Sequence, residues 1–482
     1  MTVKPFFILL ALPLWLAACT PFAPPAQSVL ASPGQWQAPL PAISPTLPHN
    51  GQLADLSHWW QRFNDPLLLT VIDAAQQVSP TIASSVSRLA QAKASQQFAN
   101  ALLSPQLELT SSTNRGRQIS LPGAPLATQA FTRLQTSWET DLFGGLAATR
   151  NAAQARSVGA QAQWHEARVT VAAEVANLYF DWRTCQALRD LALADKQSRA
   201  VTAKLAQLST QAGFSTPAAA ALARASAAEA NSRLTQQQAQ CDTTLKGLVA
   251  LSGLAEADLR QKMQTSQTPW SWPSEATFSI AAIPALALTQ RPDLFNAERE
   301  VAAASFELGS AEAERYPRLT LGGSVGRLNL RTGSTSFDVG TWSIGPITLT
   351  LPLLDGGKFA ANLAGAKARY EEADAIYRAR ARQAVREVEV ALVALHSANA
   401  RQDDLRTVAD SYSLALSLAQ NSYNSGLGSL ADLEDAKRAQ LATQSTQLTT
   451  ERERLSAWIA LYRAVGGGWA PPDATTPPQA TP

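Results

Sequence analysis

The stretch Ser104-Pro105-Gln106-Leu107-Glu108-Leu109 returns 212 residues later as Tyr316-Pro317-Arg318-Leu319-Thr320-Leu321, and two further landmarks keep that offset. Ser79-Pro80-Thr81-Ile82 is matched by Arg291-Pro292-Asp293-Leu294, and Leu142-Phe143-Gly144-Gly145 by Leu354-Asp355-Gly356-Gly357. Three landmarks on one offset mark a structural unit used twice, which has to be recognised before a fold is assigned. Pro105 and Pro317 push the residue before them toward extended backbone, so each ends a helix and opens a strand. The glycine pairs supply the dihedrals needed where strand turns back into helix. The chain then lacks proline from 126 to 216 in the first copy and from 353 to 470 in the second. Stretches of that length exceed ordinary globular helices and point to coiled-coil packing.

Side-chain spacing supports long paired helices. Val171, Val175, Leu178, Trp182 and Cys185 alternate steps of four and three, as do Leu234, Gln238, Cys241, Leu245 and Leu248. Leu405, Val408, Tyr412, Ala415 and Ala419 repeat the pattern in the second copy, giving the seam of a left-handed coiled coil. A helix from Gly145 to about Ala212 would be roughly 100 Å long at 1.5 Å per residue, a strut or tube wall rather than an enzyme core.

Strands are expected near 106–115, 131–142, 318–330 and 341–351, each long enough for a tilted bilayer span of ~9–11 residues. Alternation shows in Leu107/Leu109, in Leu134/Trp138/Leu142 and in Leu319/Leu321/Val325, and its phase shifts at Gly345-Pro346, the mark of a bulge. Alternation alone leaves two readings open: soluble hairpins packed on a helical body, or part of a membrane barrel. A barrel has to close, because open edges cannot sit in lipid. Single-chain barrels begin at about 8 strands, so four strands per chain would require several subunits to share one barrel.

The amino terminus addresses the compartment. Lys4 precedes an apolar run from Phe6 to Ala18 that ends in Leu16-Ala17-Ala18-Cys19, too short to span a membrane as a helix. The arrangement looks like a bacterial lipobox, in which Cys19 would be lipidated (palmitate among its acyl chains) and become the mature N-terminus; a plain signal peptide cut elsewhere is the alternative. Thr20 rather than aspartate follows, which by resemblance to bacterial lipoproteins favours the outer membrane. Eight prolines between Pro21 and Pro48 read as an extended tether. With 40 basic and 38 acidic residues the net charge is +2, so nothing argues for nucleic acid. The four histidines share no ligand spacing, so no metal site is expected. No phosphate loop, His-Glu metal motif or nucleophile elbow is present, and no catalytic residue is assigned.

Cys185 and Cys241 lie 28 residues on either side of Gly213, in Gln211-Ala212-Gly213-Phe214-Ser215-Thr216-Pro217. Folding the chain back at Gly213 brings the two cysteines level, where an oxidising periplasm would allow a disulfide between the helices. Two buried free thiols are the alternative.

Taken in order, the landmarks resemble the outer membrane factors, the TolC/OprM/NodT-like channels of tripartite efflux pumps. The likeness runs from Trp59 to Trp469 and includes Trp59-Trp60-Gln61-Arg62-Phe63-Asn64-Asp65-Pro66-Leu67, Trp138-Glu139-Thr140-Asp141-Leu142-Phe143-Gly144 and Arg291-Pro292-Asp293-Leu294. It continues through Leu351-Pro352-Leu353-Leu354-Asp355-Gly356-Gly357 and Leu461-Tyr462-Arg463-Ala464 to Gly466-Gly467-Gly468-Trp469. The ending and the lipobox look most like the lipoprotein members that serve RND-type pumps. The resemblance implies a mixed α+β membrane protein: duplicated coiled-coil helical hairpins forming an α-barrel, and four strands per protomer in a shared 12-stranded transmembrane β-barrel of a homotrimer. The expected organisation is a signal peptide (1–18), a lipidated proline-rich tether (19–50), a first repeat (51–260), a linker (261–290), a second repeat (291–469) and a disordered tail (470–482).

Function by resemblance is passive conduction, with an inner-membrane RND-type pump and a periplasmic adaptor delivering substrate to a duct in the outer membrane lipids. No cofactor is expected beyond the lipid on Cys19. The resemblance places the periplasmic aperture at Tyr423, Asp432 and Asp435, and adaptor docking at Gly213, Phe214, Gly426 and Leu427. Read without it, Asp432 and Asp435 are an acidic first helical turn. The sequence departs from a familiar relative by carrying Gly428 where that relative has a latching arginine. A periplasmic structural or adaptor lipoprotein stays as the other class. An adaptor, however, should have one hairpin rather than two, and a plain coiled coil needs no strand pairs.

Overall fold

A computed structural model of the chain describes residues 25–26, 33, 35–39, 59–63, 65–117, 126–265 and 288–469. The expected signal peptide, Cys19, the tail at 470–482 and most of the tether and of the linker at 261–290 lie outside the described residues. The elements are a 3-10 turn at Trp59–Phe63, α1 (Pro66–Val78), α2 (Pro80–Ala101), β1 (Gln106–Arg117), β2 (Leu126–Thr140), α3 (Gly145–Gln211), α4 (Pro217–Ser252) and α5 (Glu256–Thr265). They continue with α6 (Pro292–Ala313), β3 (Arg318–Thr332), β4 (Thr335–Thr350), α7 (Lys358–Asn424) and α8 (Leu430–Ala464). The copies match closely: α3 and α7 are each 67 residues long, followed by helices of 36 and 35 residues.

The chain forms two compact units that do not coincide with the repeats. One takes 87–161 and 296–379 and so holds both strand pairs; the other takes the described residues of 30–86, 162–295 and 380–469. In the first unit the strands form one antiparallel sheet in the order β1-β2-β3-β4, each copy giving a hairpin and the β2–β3 pairing joining the copies. β1 and β3 begin directly after Pro105 and Pro317. β2 stops at Thr140, two residues before the expected end, because Asp141 turns to cap the next helix, its carboxylate accepting from the Leu146 and Ala147 amides at 3.0 and 2.7 Å. Asp355 does the same for Gly357 and Phe359 at 3.0 and 2.6 Å. β4 starts at Thr335 rather than 341, because a two-residue Gly333-Ser334 turn lets pairing run to Thr332 and Thr335. The register slips between Leu321 and Gly323, opposite a cis Gly345-Pro346 peptide, where the sequence shifts phase.

The core of the second unit gathers α1, α3, α4, α7 and α8 around Leu68, Val175, Tyr179, Leu245, Leu248, Leu392, Ile459 and Leu461. Asp65 ties the start of the fold together. It caps α1 through the Leu67 and Leu68 amides and accepts from Tyr179 Oη at 2.5 Å and Arg183 Nη2 at 3.2 Å. Burial together with the hydrogen bond to Asp65 pushes the Tyr179 phenol far above its ordinary value. Trp59 stacks on Tyr462 with ring centres 4.5 Å apart, which places the Trp59-Trp60 landmark against the end of α8. Described parts of the proline-rich segment are docked rather than free: Trp36 and Ala38 are buried, and the Gln37 and Ala38 amides donate to Glu389 at 2.6 and 2.7 Å.

The helical seams differ from expectation in two places. Gln238 is exposed, and Gln237 instead reaches across, its Nε2 donating to Cys185 Sγ at 3.2 Å. The buried line thus runs Leu234, Gln237, Cys241, Leu245, Leu248, and its two successive steps of four unwind a left-handed coil locally. In α7, Leu405 is half-buried, but Val408 and Tyr412 are exposed, so their seam has no cover among the described residues.

Candidate functional site

The sheet is chemically two-faced. Its register aligns Leu109, Leu134, Val325 and Trp342 in one row and Leu107, Thr136, Gly323 and Ile344 in the next. Trp138, Leu321 and Ile347, then Thr140, Leu319 and Leu349, continue the same face. The alternating residues of the sequence pattern therefore share a face, except Leu142, which lies beyond β2. Of the rows on the opposite face, Glu108-Gln135-Ser324-Ser343 and Thr110-Arg133-Gly326-Thr341 are polar, whereas Ser112-Phe131-Leu328-Val339 and Asn114-Gln129-Leu330-Phe337, toward the hairpin turns, are largely apolar. Arg133 lies across Gly326, where a Cβ would come within 2.7 Å of its own, and covers the Phe131 ring at 4.7 Å. The apolar face is bare: Leu107, Leu109, Val325, Trp342, Ile344, Ile347 and Leu349 are all exposed. Among the described residues β1 and β4 each have one neighbouring strand. One chain thus presents an uncovered apolar surface and two open sheet edges.

The second unit carries two helical turns built alike. At the α3–α4 turn the Phe214 amide donates to Ser209 O at 2.9 Å and the Gly213 amide to Thr210 O at 3.1 Å. At the α7–α8 turn the Leu427 amide donates to Ser422 O at 2.9 Å and the Gly426 amide to Tyr423 O at 3.0 Å. Both are Schellman motifs closed by a glycine with φ of +79° and +72°, a conformation that favours glycine. In such motifs the next residue usually packs back on the helix, yet Phe214 and Leu427 are each 87% exposed. The position each would pack against is a serine in both turns, Ser209 or Ser422. Gly213, Phe214, Gly426 and Leu427 are therefore presented outward by local geometry.

Tyr423 near the end of α7 and Asp432 and Asp435 near the start of α8 flank the turn and are exposed. Asp432 closes a capping box: its amide donates to Ser429 Oγ at 3.1 Å, and its carboxylate accepts from the Ser429 amide and hydroxyl at 3.3 and 2.6 Å. Those bonds from Ser429 hold the Asp432 carboxyl below its ordinary value. Asp435 pairs with Arg438 one turn on. Within one protomer Asp432 thus does what an acidic first-turn residue does, whereas Asp435 lies beyond the first turn and forms an ion pair along the helix. Gly428 has its own constraint: its amide donates to Ser422 O at 3.0 Å, and a Cβ there would stand 2.9 Å from Ser422 Cβ. A side chain at 428 would press on the turn, so a latching arginine does not fit this loop as built.

Sequence reasoning missed Glu434, which lies between the two aspartates but is only 2% exposed. It accepts from Ser198 Oγ on α3 at 2.5 Å and from Lys437 Nζ at 3.0 Å. It also missed what the Arg291-Pro292-Asp293-Leu294 landmark does. Buried Arg291 donates to Asp293 at 2.7 Å, to Glu387 at 2.8 Å and to the Ala464 carbonyl near the end of α8 at 2.8 Å. Burial alone would raise Asp293, but the Arg291 guanidinium outweighs it and leaves the carboxyl below its ordinary value. Cys185 and Cys241 are joined by a disulfide, their Cα atoms 5.5 Å apart.

The sequence profile of the outer membrane efflux proteins matches residues 71–254 and 283–467, two blocks whose starts are 212 residues apart. Pyoverdine export outer membrane protein OpmQ of Pseudomonas putida is 27% identical over 481 residues, covering 97% of this chain and 98% of its own. Outer membrane protein OprJ of Pseudomonas aeruginosa is 29% identical over 432 residues, 87% of this chain and 88% of its own. The CmeC outer membrane channel of Campylobacter jejuni, 21% identical, superposes with a TM-score of 0.78 over 94% of this chain and 96% of its own, a likeness of fold. With both halves of the duplication matched, the chain belongs to the outer membrane efflux protein family.

Proposed function

We propose that the chain is the exit duct of a tripartite efflux system, a homotrimer whose 12 strands close one outer membrane barrel above a periplasmic helical tunnel. The observation that carries this reading is the two-faced sheet. Its exposed apolar rows suit lipid, its polar rows suit a water-filled lumen, and its two open edges have to be paired by other subunits before lipid can surround them. Cys19 carries the lipid anchor. Phe214 and Leu427, with the glycines before them, meet the helical hairpin of a periplasmic adaptor, which links the duct to an inner-membrane RND-type pump. Tyr423, Asp432 and Asp435 line the periplasmic aperture, where three copies place an acidic ring that favours cations. The duct conducts passively and has no catalytic residue.

The test is the native mass of the full-length protein taken from outer membranes in mild detergent. A trimer that falls apart on heating supports the shared barrel. A monomer that becomes water-soluble once Cys19 is replaced would instead make it a periplasmic coiled-coil lipoprotein.

A further inference from the structure

The apolar face of the sheet changes character toward the hairpin turns. Beyond the row of Leu109, Leu134, Val325 and Trp342 come Ser111-Thr132-Arg327-Gly340, Thr113-Ala130-Asn329-Asp338 and Arg115-Thr128-Arg331-Ser336, then Arg117 opposite Leu126. Four arginines thus stand on the same face as the apolar rows, and all four are exposed. Arg327 has one carboxylate, Asp338, at 2.8 Å. Arg115, Arg117 and Arg331 have no ion pair among the described residues, and the β1–β2 connection, Gln118-Ile119-Ser120-Leu121-Pro122-Gly123-Ala124-Pro125, has no acidic residue. The arginines continue the face of the Leu109 and Trp342 rows; behind them, on the face that carries the Glu108 and Thr110 rows, stand Phe131, Leu328, Leu330, Val339 and Phe337.

Arginine on a lipid-facing strand position is disfavoured at the bilayer midplane and tolerated near the interface. The belt therefore marks the level of the headgroups, with the apolar rows marking the acyl chains beside it. An apolar surface running into a cluster of four guanidinium groups with a single carboxylate partner complements an amphiphile with acyl chains and several negative charges. Guanidinium forks match phosphate oxygens two at a time. Arg115 and Arg331 share a row two strands apart, about 10 Å at the usual strand spacing, farther than one phosphate reaches. We propose that Arg115, Arg117, Arg327 and Arg331 form a binding site for a multiply phosphorylated glycolipid of the outer leaflet, whose acyl chains lie on the Val325 and Trp342 rows. The proposal rests on the reading that this sheet crosses the outer membrane with its apolar face to lipid.

The experiment is native mass spectrometry of the full-length trimer in mild detergent. It is incubated separately with bisphosphorylated lipid A, with the same lipid after phosphatase treatment, and with phosphatidylglycerol. The wild type should retain the bisphosphorylated form at least about tenfold more than either other lipid, with the preference shrinking as salt rises. Arg115→Gln with Arg331→Gln should bring retention down to the dephosphorylated level, whereas Arg133→Gln on the opposite face should leave it unchanged. Equal wild-type retention of the lipid before and after phosphatase overturns the proposal without reference to any variant. Equal retention of phosphatidylglycerol overturns the glycolipid assignment, and a loss in Arg133→Gln matching the double variant overturns the placement of the site. A protein that runs as a monomer before lipid is added removes the barrel reading itself, and the site with it.

Discussion

Arg291 shows how much one buried side chain can hold. Its guanidinium joins the start of α6, the middle of α7 and the end of α8 through Asp293, Glu387 and the Ala464 carbonyl. Arg291→Met leaves Asp293 and that carbonyl without the charge they face, and should cost about 3 kcal/mol of stability at pH 7. The pH dependence has a definite sign. Asp293 titrates below its ordinary value in the folded protein, so its contribution is complete above the unfolded value and is lost as pH falls through the depressed one. Denaturant titrations of both proteins should show a full gap near neutrality that closes in acid. Local chemistry at this scale was legible: Gly213 and Gly426 read as helix ends, and Cys185 and Cys241 as level across a hairpin. The partners of Arg291 and Glu434 were not, because Glu387, Ala464 and Ser198 lie 96, 173 and 236 residues away and only packing brings them near.

At the scale of elements, neighbouring residues of one strand should behave oppositely. Trp342 is on the apolar face and Thr341 on the polar one. Trp342→Arg puts a charge toward lipid at a cost of ~2–4 kcal/mol per subunit if the site is near the midplane, and should reduce the heat-labile oligomer recovered from outer membranes. Thr341→Arg should leave that yield unchanged and alter conductance instead. The period of two announced which residues share a face, and proline and glycine announced where strands begin. The register was not legible, because pairing across β2 and β3 joins residues from separate copies, and a slip at Leu321 changes the phase between β3 and β4. The helix pairs were legible in period but not in phase. Gln237 displaces Gln238 from the seam because it finds Cys185 across the hairpin. Replacing Cys185 and Cys241 with serine should lower stability by about 4 kcal/mol on a loop-entropy estimate for their separation, seen as a reductant-insensitive drop in the thermal midpoint.

For the whole molecule, the exposed apolar rows, the open sheet edges and the α7 seam left uncovered by the described residues all support the proposed oligomer. Duplication was legible because its landmarks are proline and glycine, whose backbone roles do not depend on neighbours. The number of subunits is not written in one chain. If three α7–α8 turns surround the aperture, Asp432→Asn with Asp435→Asn should lower the preference for cations over anions in planar-bilayer recordings at pH 7. Asp432 titrates below the usual carboxylate range because of Ser429, so in the wild type it keeps its charge, and its share of that preference, into mild acid.

The disulfide has a mechanical consequence. A covalent tie between α3 and α4 bars those helices from sliding along each other, so that hairpin resists shear as a single beam. The chain has three cysteines, and none lies in α7 or α8, so the second hairpin can slip lengthwise at the expense of side-chain contacts alone. Two copies of one design thus differ in stiffness. On the proposed placement of the aperture at Tyr423, Asp432 and Asp435, dilation would fall on the compliant copy, with the braced copy as its frame.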